Sequence, residues 1–276
     1  MTVDLHIHTN CSDGIYSPEE IVEFAKAAGL EAIAITDHDT IDGVSKLLER
    51  STTAKNMEVI PGIEFSTDLP DNEVHILGYY IDVSKSELIS QLKLISEDRY
   101  TRTKKMVTKL NSLGYEISYD SVLKIAGEAT SIGRPHIAAA LIDAKYFSNV
   151  ADVFDVLLEK RKPAYIPHYK MSPAETIQLI VRAGGVPVLA HPGLVGNDAI
   201  VMEIIALGIQ GIEVYHPSHN PSQVSRYLQL ATEHNLLVTG GSDFHGIAGR
   251  VPERLGEYGV SLGVIRKLKE LSACKG

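Results

Sequence analysis

Residues able to do chemistry gather at the very start of this chain, in Val3-Asp4-Leu5-His6-Ile7-His8-Thr9-Asn10-Cys11-Ser12-Asp13-Gly14. Val3, Leu5 and Ile7 alternate with Asp4, His6 and His8, the two-residue period of a β-strand. Residues two apart on a strand share a face, so His6 and His8 present paired imidazoles. Asp13 follows in a turn marked by Gly14 and can return a carboxylate to the strand end. Two imidazoles with a nearby carboxylate suit a divalent cation. The same residue types recur at the ends of later apolar runs: His38 in Thr36-Asp37-His38-Asp39, Glu64 after Pro61-Gly62-Ile63, His75 in Val74-His75-Ile76, His191 before Pro192-Gly193, and Asp243 with His245 in Gly241-Ser242-Asp243-Phe244-His245.

Short apolar β-type runs carry these residues. Strands are expected at 2–8, 32–36, 57–63, 73–81, 186–190, 211–215 and 236–240. Helices with readable starts lie between them. Ser17-Pro18-Glu19-Glu20 and Ser172-Pro173-Ala174-Glu175 each combine an N-cap serine, a proline at the first helical position and a glutamate three residues on. Asn220-Pro221-Ser222-Gln223 is a close variant, and Gly29 and Gly184-Gly185 read as helix stops. Strands alternating with helices imply an α/β fold of parallel units. Seven strands suit a barrel, whose strand ends form one rim and bring distant residues together. No G-x-G-x-x-G or P-loop argues for a nucleotide fold of the Rossmann type. From 84 to 165 the pattern turns almost wholly helical, which predicts a helical insertion over the barrel formed by 1–83 and 166–276.

Bulk properties narrow the function. Apolar residues make up 44% and charged residues 22% of the 276, a globular balance. A formal charge of −9 opposes nucleic-acid binding through a broad basic surface, although cations held in a site are absent from that count. Two cysteines, Cys11 and Cys274, cannot build a disulfide framework, so a cytoplasmic location is expected. The first strand begins at once, so no signal peptide is expected, and no apolar run approaches the roughly 20 residues of a membrane span.

The segments HIHTNCSDG, TDHD, PGIE with the following His75, and GSDFH, in this order, resemble the PHP (polymerase and histidinol phosphatase) superfamily of metal-dependent phosphoesterases. The resemblance runs from His6 to His245. It implies a distorted (β/α)7 barrel, the PHP fold, with the insertion as a subdomain. Within the superfamily the chain looks most like the stand-alone subgroup with a helical insertion, which includes nucleoside 3′,5′-bisphosphate phosphatases and a 5′-to-3′ exoribonuclease. Carried onto this sequence, the resemblance implies three metal sites: His6, His8, Glu64 and Asp243; Glu64 shared with His75 and His191; and Asp13, His38 and His245. Two to three divalent ions would be cofactors, with mixed ligation suiting Mn²⁺, Fe²⁺ or Zn²⁺ better than Mg²⁺ alone. Glu64 and Asp243 would be catalytic. Water held between two cations loses a proton near neutral pH and can attack phosphorus in line.

Gly133-Arg134-Pro135-His136 in the insertion occurs also in the related nucleotide phosphatases. On that resemblance Arg134 and His136 are expected to bind the substrate phosphate and serve catalysis, Arg134 through its planar fork. His216 is expected at the rim as a further substrate contact, with His219 nearby. Asp37 and Asp39 are read as carboxylates that orient imidazoles. Cys11 has no neighbouring base and is rejected as a nucleophile. The partner expected is a small phosphorylated substrate, a nucleotide foremost, with short RNA as an alternative and no membrane or obligate protein partner. Histidinol phosphate phosphatase is a further alternative. A non-catalytic, metal-stabilised module would predict lost ligand positions, and all nine are occupied.

Overall fold

The computed structural model describes residues 3–50, 57–69, 72–167, 169, 171–247 and 251–273; His168 and Cys274 lie outside them. Seven strands make one sheet in sequence order: β1 (Val3–Ile7), β2 (Ala32–Ile35), β3 (Glu58–Asp68), β4 (Glu73–Tyr79), β5 (Val186–Leu189), β6 (Gly211–Tyr215) and β7 (Leu237–Gly240). Helix α1 (Pro18–Ala27) follows β1 and α2 (Asp42–Glu49) follows β2. Between β4 and β5 lie α3 (Ser86–Ser112), α4 (Tyr119–Ala126), α5 (Arg134–Asp143), α6 (Val150–Val153) with a π-helical turn at Phe154–Leu158, and α7 (Pro173–Arg182). Then come α8 (Pro192–Val195), α9 (Asp198–Ala206), α10 (Pro221–Glu233) and α11 (Gly263–Ala273). Phe244, just past β7, bridges to Ile7, and its carbonyl accepts from the His8 amide at 3.0 Å. The sheet therefore nearly closes into a barrel.

Local signals in the sequence explain the helix starts. Ser17, Ser172 and Asn220 each close a reciprocal capping box with Glu20, Glu175 and Gln223 ahead of a proline. Such caps satisfy backbone donors that a helix start leaves orphaned, worth about 1 kcal/mol each. Ile33, Ile35, Ile63, Phe65, Ile76 and Leu189 pack outward against Ile21, Val22, Ile177 and Ile180 of the surrounding helices. Val3, Leu5, Ala32, Ala34, Ile60, Val186 and Val188 form a second cluster with Ile265 and Leu268 of α11, filling the barrel as side chains do in this architecture. The inserted helices gather a third cluster, including Met106, Leu110, Val122, Ile137, Leu141 and Leu158.

One strand departs from the parallel pattern read from the sequence. β4 runs antiparallel to both β3 and β5. A parallel neighbour needs a crossover of about a dozen residues or more, and only residues 69–72 separate β3 from β4. Reversal has a consequence for chemistry. His75, near the beginning of β4, pairs with Ser66 and so stands at the same end of the barrel as Glu64.

Candidate metal centre

Glu64 is the hub of the rim. Its side chain is wholly buried, an expensive place for a carboxylate without compensation. Oε1 lies 2.9 Å from His75 Nδ1 and 2.8 Å from His191 Nε2. Oε2 lies 3.2 Å from Nε2 of both His6 and His8, and 3.1 Å from His38 Nδ1. Asp243 Oδ1 sits 3.1 Å from His8 Nε2 and 3.5 Å from His6 Nε2. Asp13 Oδ1 is 3.3 Å from His245 Nε2 and 3.6 Å from His8 Nδ1. Its other oxygen is 4.0 Å from His38 Nε2. The strand period delivers its pair, for the His6 and His8 ring centroids stand 5.2 Å apart.

Ligand-type atoms approach within 4.8 Å of one another in four overlapping groups: His6, His8, Glu64 and Asp243; His8, Asp13, His38 and His245; His38, Glu64 and His75; and His6, Glu213 and His216. Eight of the nine positions expected to bind metal fall in these groups, and His191 joins them through Glu64 Oε1. His216, expected to contact substrate, is buried in the same basin with Nε2 3.5 Å from Asp243 Oδ2. Its Nδ1 accepts the Ser218 amide at 3.1 Å, so Nε2 carries the proton and is presented to Asp243.

Burial and charge set the protonation of this basin. Burial drives His38 down to about 3 despite Glu64 and Asp13. Burial opposes protonation of His8 too, but Asp243 and Glu64 prevail and push it up to about 10. His6 is likewise held well above its ordinary value, with Glu213 and Glu64 outweighing burial. Burial would raise Glu64, Asp13 and Asp243, yet the surrounding imidazoles hold each well below the usual carboxylate range. Several buried polar atoms have no hydrogen-bond partner, among them His6 Nε2, both nitrogens of His8, His38 Nδ1, His245 Nε2 and Glu64 Oε2. Orphaned imidazole nitrogens around shared carboxylates fit divalent cations. The backbone is bent to present two of these groups, with φ of 24° at His191 and 50° at Asp243. A non-glycine residue held there costs about 1–3 kcal/mol and persists because its surroundings fix it.

Residues outside the expected set complete the basin. Glu213, wholly buried on β6, accepts from His6 Nδ1 at 3.0 Å through Oε1 and from the His191 amide at 2.8 Å through Oε2. A lone glutamate in the apolar run Gly-Ile-Glu-Val-Tyr was its sequence signal, since a buried charge must be paired. Asp37 and Asp39 do not orient imidazoles. Asp37 accepts from the Thr9 amide and hydroxyl at 2.7 Å each and from the Ser12 hydroxyl, fixing the loop that carries Asp13. Asp39 accepts from Arg99 of α3, with Nε at 3.1 Å, and from the Ser66 amide at 2.9 Å. Side chains leaving a strand end follow the local twist, so adjacency to His38 did not place them beside it.

A cavity of about 230 Å³ joins the basin to the inserted helices. Asp13, His38, His75 and His245 line one side; Arg99, Arg102, Arg134, Ser131 and Phe154 line the other. Arg134 faces this cavity, donating to Glu73 at 2.7 Å above the Phe154 ring. His136 does not line it. The ring is buried, its Nδ1 accepts the Gly133 amide at 3.1 Å, and burial lowers its pKa, so it shapes the turn that carries Arg134. His219 spends both nitrogens on backbone, one on the Val214 carbonyl and one on the Gly193 amide. Cys11 is buried and its thiol is pushed up by burial and by Asp37. Among the described residues no helix is long and apolar enough to cross a membrane.

Comparison with known proteins places this geometry. The PHP domain family matches residues 4–165. A 3′,5′-nucleoside bisphosphate phosphatase of Chromobacterium violaceum is 32% identical over 255 residues, covering 90% of this chain and 89% of that one. A phosphoribosyl 1,2-cyclic phosphate 1,2-diphosphodiesterase of Eggerthella lenta is 31% identical over 260 residues, covering 91% and 97%. Among solved structures, a candidate metal-dependent phosphoesterase of Bifidobacterium adolescentis superposes with a TM-score of 0.88 at 36% identity, covering 100% of this chain and 96% of that one.

Proposed function

The chain belongs to the PHP domain family, and from that premise we propose that it hydrolyses phosphate monoesters of small metabolites, nucleotides foremost. It is a metal-dependent phosphoesterase, a hydrolase of phosphoester bonds. The observation that carries the finer reading is the single cavity in which Asp13, His38, His75 and His245 face Arg102 and Arg134. A phosphoester set against the imidazoles leaves the rest of a small molecule among the guanidiniums.

His6, His8, Glu64 and Asp243 would hold one divalent ion, Glu64 with His75 and His191 a second, and Asp13, His38 and His245 a third. Mn²⁺, Fe²⁺ or Zn²⁺ suits this mixed donor set, with Mg²⁺ less favoured. Such ions, when bound, activate water near neutral pH and neutralise charge on phosphoryl and leaving oxygens. Glu64 supplies an oxygen to each of two neighbouring groups and so fixes their separation. Asp243 Oδ2 faces the Nε2 proton of His216, which leaves Oδ1 turned to His6 and His8. Arg134 offers its fork to a phosphate, held in place by the turn that His136 closes.

A phosphoester panel under Mn²⁺ tests the reading: adenosine 3′,5′-bisphosphate, mononucleotides, histidinol phosphate and short 5′-phosphorylated RNAs. Turnover of the small nucleotides well above the others is expected. Preference for RNA would favour an exoribonuclease instead, and turnover of histidinol phosphate alone would remove the nucleotide.

A further inference from the structure

His191 is presented to Glu64 from an unfavourable backbone, with φ of 24° and ψ of 62°, at the residue that opens α8. A non-glycine residue in that region has to be held by its surroundings. Helix α8 spans only Pro192–Val195, and a single helical turn is too short to hold itself. Anchors must come from elsewhere in the fold. Glu213 Oε2 supplies one, accepting the His191 amide at 2.8 Å. Pro192 has no amide hydrogen, so Gly193 carries the first backbone donor beyond the ligand. That N–H is among those a helix start leaves without a partner, and His219 Nε2 accepts it at 3.0 Å.

The His219 ring is fixed in the form this bond requires. Its Nδ1 lies 2.9 Å from the Val214 carbonyl, which only accepts, so Nδ1 carries the proton and Nε2 is a bare acceptor. Burial lowers its pKa and keeps the ring neutral. His219 directly precedes Asn220, the cap of α10, and its ring centroid stands 5.0 Å from that of Tyr227 in the same helix. Gly193 records how closely ring and turn are packed. A Cβ there would stand 2.5 Å from His219 Cδ2 and 2.9 Å from Nε2. No positive φ calls for glycine at 193; the imidazole beside it does.

We propose that His219 is a positioning residue for the ion that Glu64, His75 and His191 would hold, locking the turn that brings His191 Nε2 to 2.8 Å from Glu64 Oε1. This rests on the metal-dependent reading above and names a residue outside the ligand set on which one ion depends. Both ring nitrogens are spent on backbone, at the His191 turn and at the end of β6, so the ligands of the other ions keep their places without it.

The test titrates chelator-stripped protein with Mn²⁺ and counts the ions bound per chain. His219→Phe keeps a ring but loses both bonds, and should weaken one class of Mn²⁺ about 10- to 100-fold while the others bind as in wild type. Gly193→Ala, which pushes the same ring away, should repeat that loss. His219→Gln, which offers an acceptor and a donor, should recover part of it. His191→Ala should remove the same ion, and adding His219→Phe to it should cost no more, the non-additivity of residues that act through one contact. In metal-free protein a long-range ¹H–¹⁵N spectrum should show His219 protonated at Nδ1 alone. Wild-type affinity for every ion in His219→Phe, a loss spread evenly over all of them, or a proton on Nε2 overturns the proposal and leaves the metal-dependent reading intact. If the wild-type protein binds no Mn²⁺, both fall. Should His219→Phe fail to fold, Gly193→Ala and His219→Gln decide the matter alone.

Discussion

Glu213→Gln is the most exacting substitution the basin offers, because it changes one atom and forces a tautomer. Glu213 uses both oxygens, Oε1 toward His6 Nδ1 at 3.0 Å and Oε2 toward the His191 amide at 2.8 Å. The His191 amide can only donate, so the glutamine carbonyl must take that side and its NH2 must face His6. Nδ1 of His6 then becomes an acceptor and the ring proton moves to Nε2. That is the nitrogen 3.2 Å from Glu64 and 3.5 Å from Asp243, the atom a cation would need. Removing such an outer carboxylate typically weakens metal binding 10- to 100-fold, about 1.4–2.7 kcal/mol. The metal-free protein should also lose about 3 kcal/mol of stability, because His6, held protonated there by Glu213 and Glu64, loses a buried counter-charge. Chelator competition with metal quantified per chain reads the first effect, and thermal melting of stripped protein reads the second. Wild-type affinity and stoichiometry in Glu213→Gln would refute the tautomer reasoning.

Two further outcomes follow from buried charge. Asp39→Asn leaves Arg99 buried against a neutral partner and should cost about 3 kcal/mol, measured by urea denaturation; a loss under about 0.5 kcal/mol would show that the pair behaves as if solvated. In metal-free protein at pH 7.5 His8, pushed up to about 10, carries a proton, whereas His38, driven down to about 3, does not. A cation must displace the His8 proton, so affinity should rise with pH and calorimetry in two buffers of different ionisation enthalpy should report proton release. The same shift makes the His8 contribution to metal-free stability complete below its ordinary value of 6.5 and lost as pH climbs through about 10. Binding without proton release would contradict both statements.

The parts of this fold legible in the sequence are those written in local chemistry. Ser17, Ser172 and Asn220 announce their helices because a cap is satisfied within four residues. The alternation through His6 and His8 announces a strand because period two is set by the backbone itself. The reversal of β4 was illegible because hydrophobic period carries no direction; only the shortness of the link at 69–72 encodes it. Arg99 and Arg102 sit in a 27-residue polar helix, where charges read as a solvated face until the barrel beneath is known. Glu213 was the missed opportunity, since a charge inside an apolar parallel strand demands a partner. Asp37 and Asp39 show the opposite error, in which proximity along the chain to His38 stood in for proximity in space.

The central claim is that one basin around Glu64 holds divalent cations and that these make the chain a phosphoesterase. Crystals soaked in Mn²⁺ and measured at its absorption edge test this most directly. Anomalous peaks are predicted between Glu64 and its ring of His6, His8, His38, His75 and His191, with another beside Asp13 and His245, and Asp243→Asn should lose the peak at His6 and His8 together with hydrolysis. Density free of peaks throughout the basin, in protein whose phosphoester hydrolysis survives chelation, would contradict the claim outright.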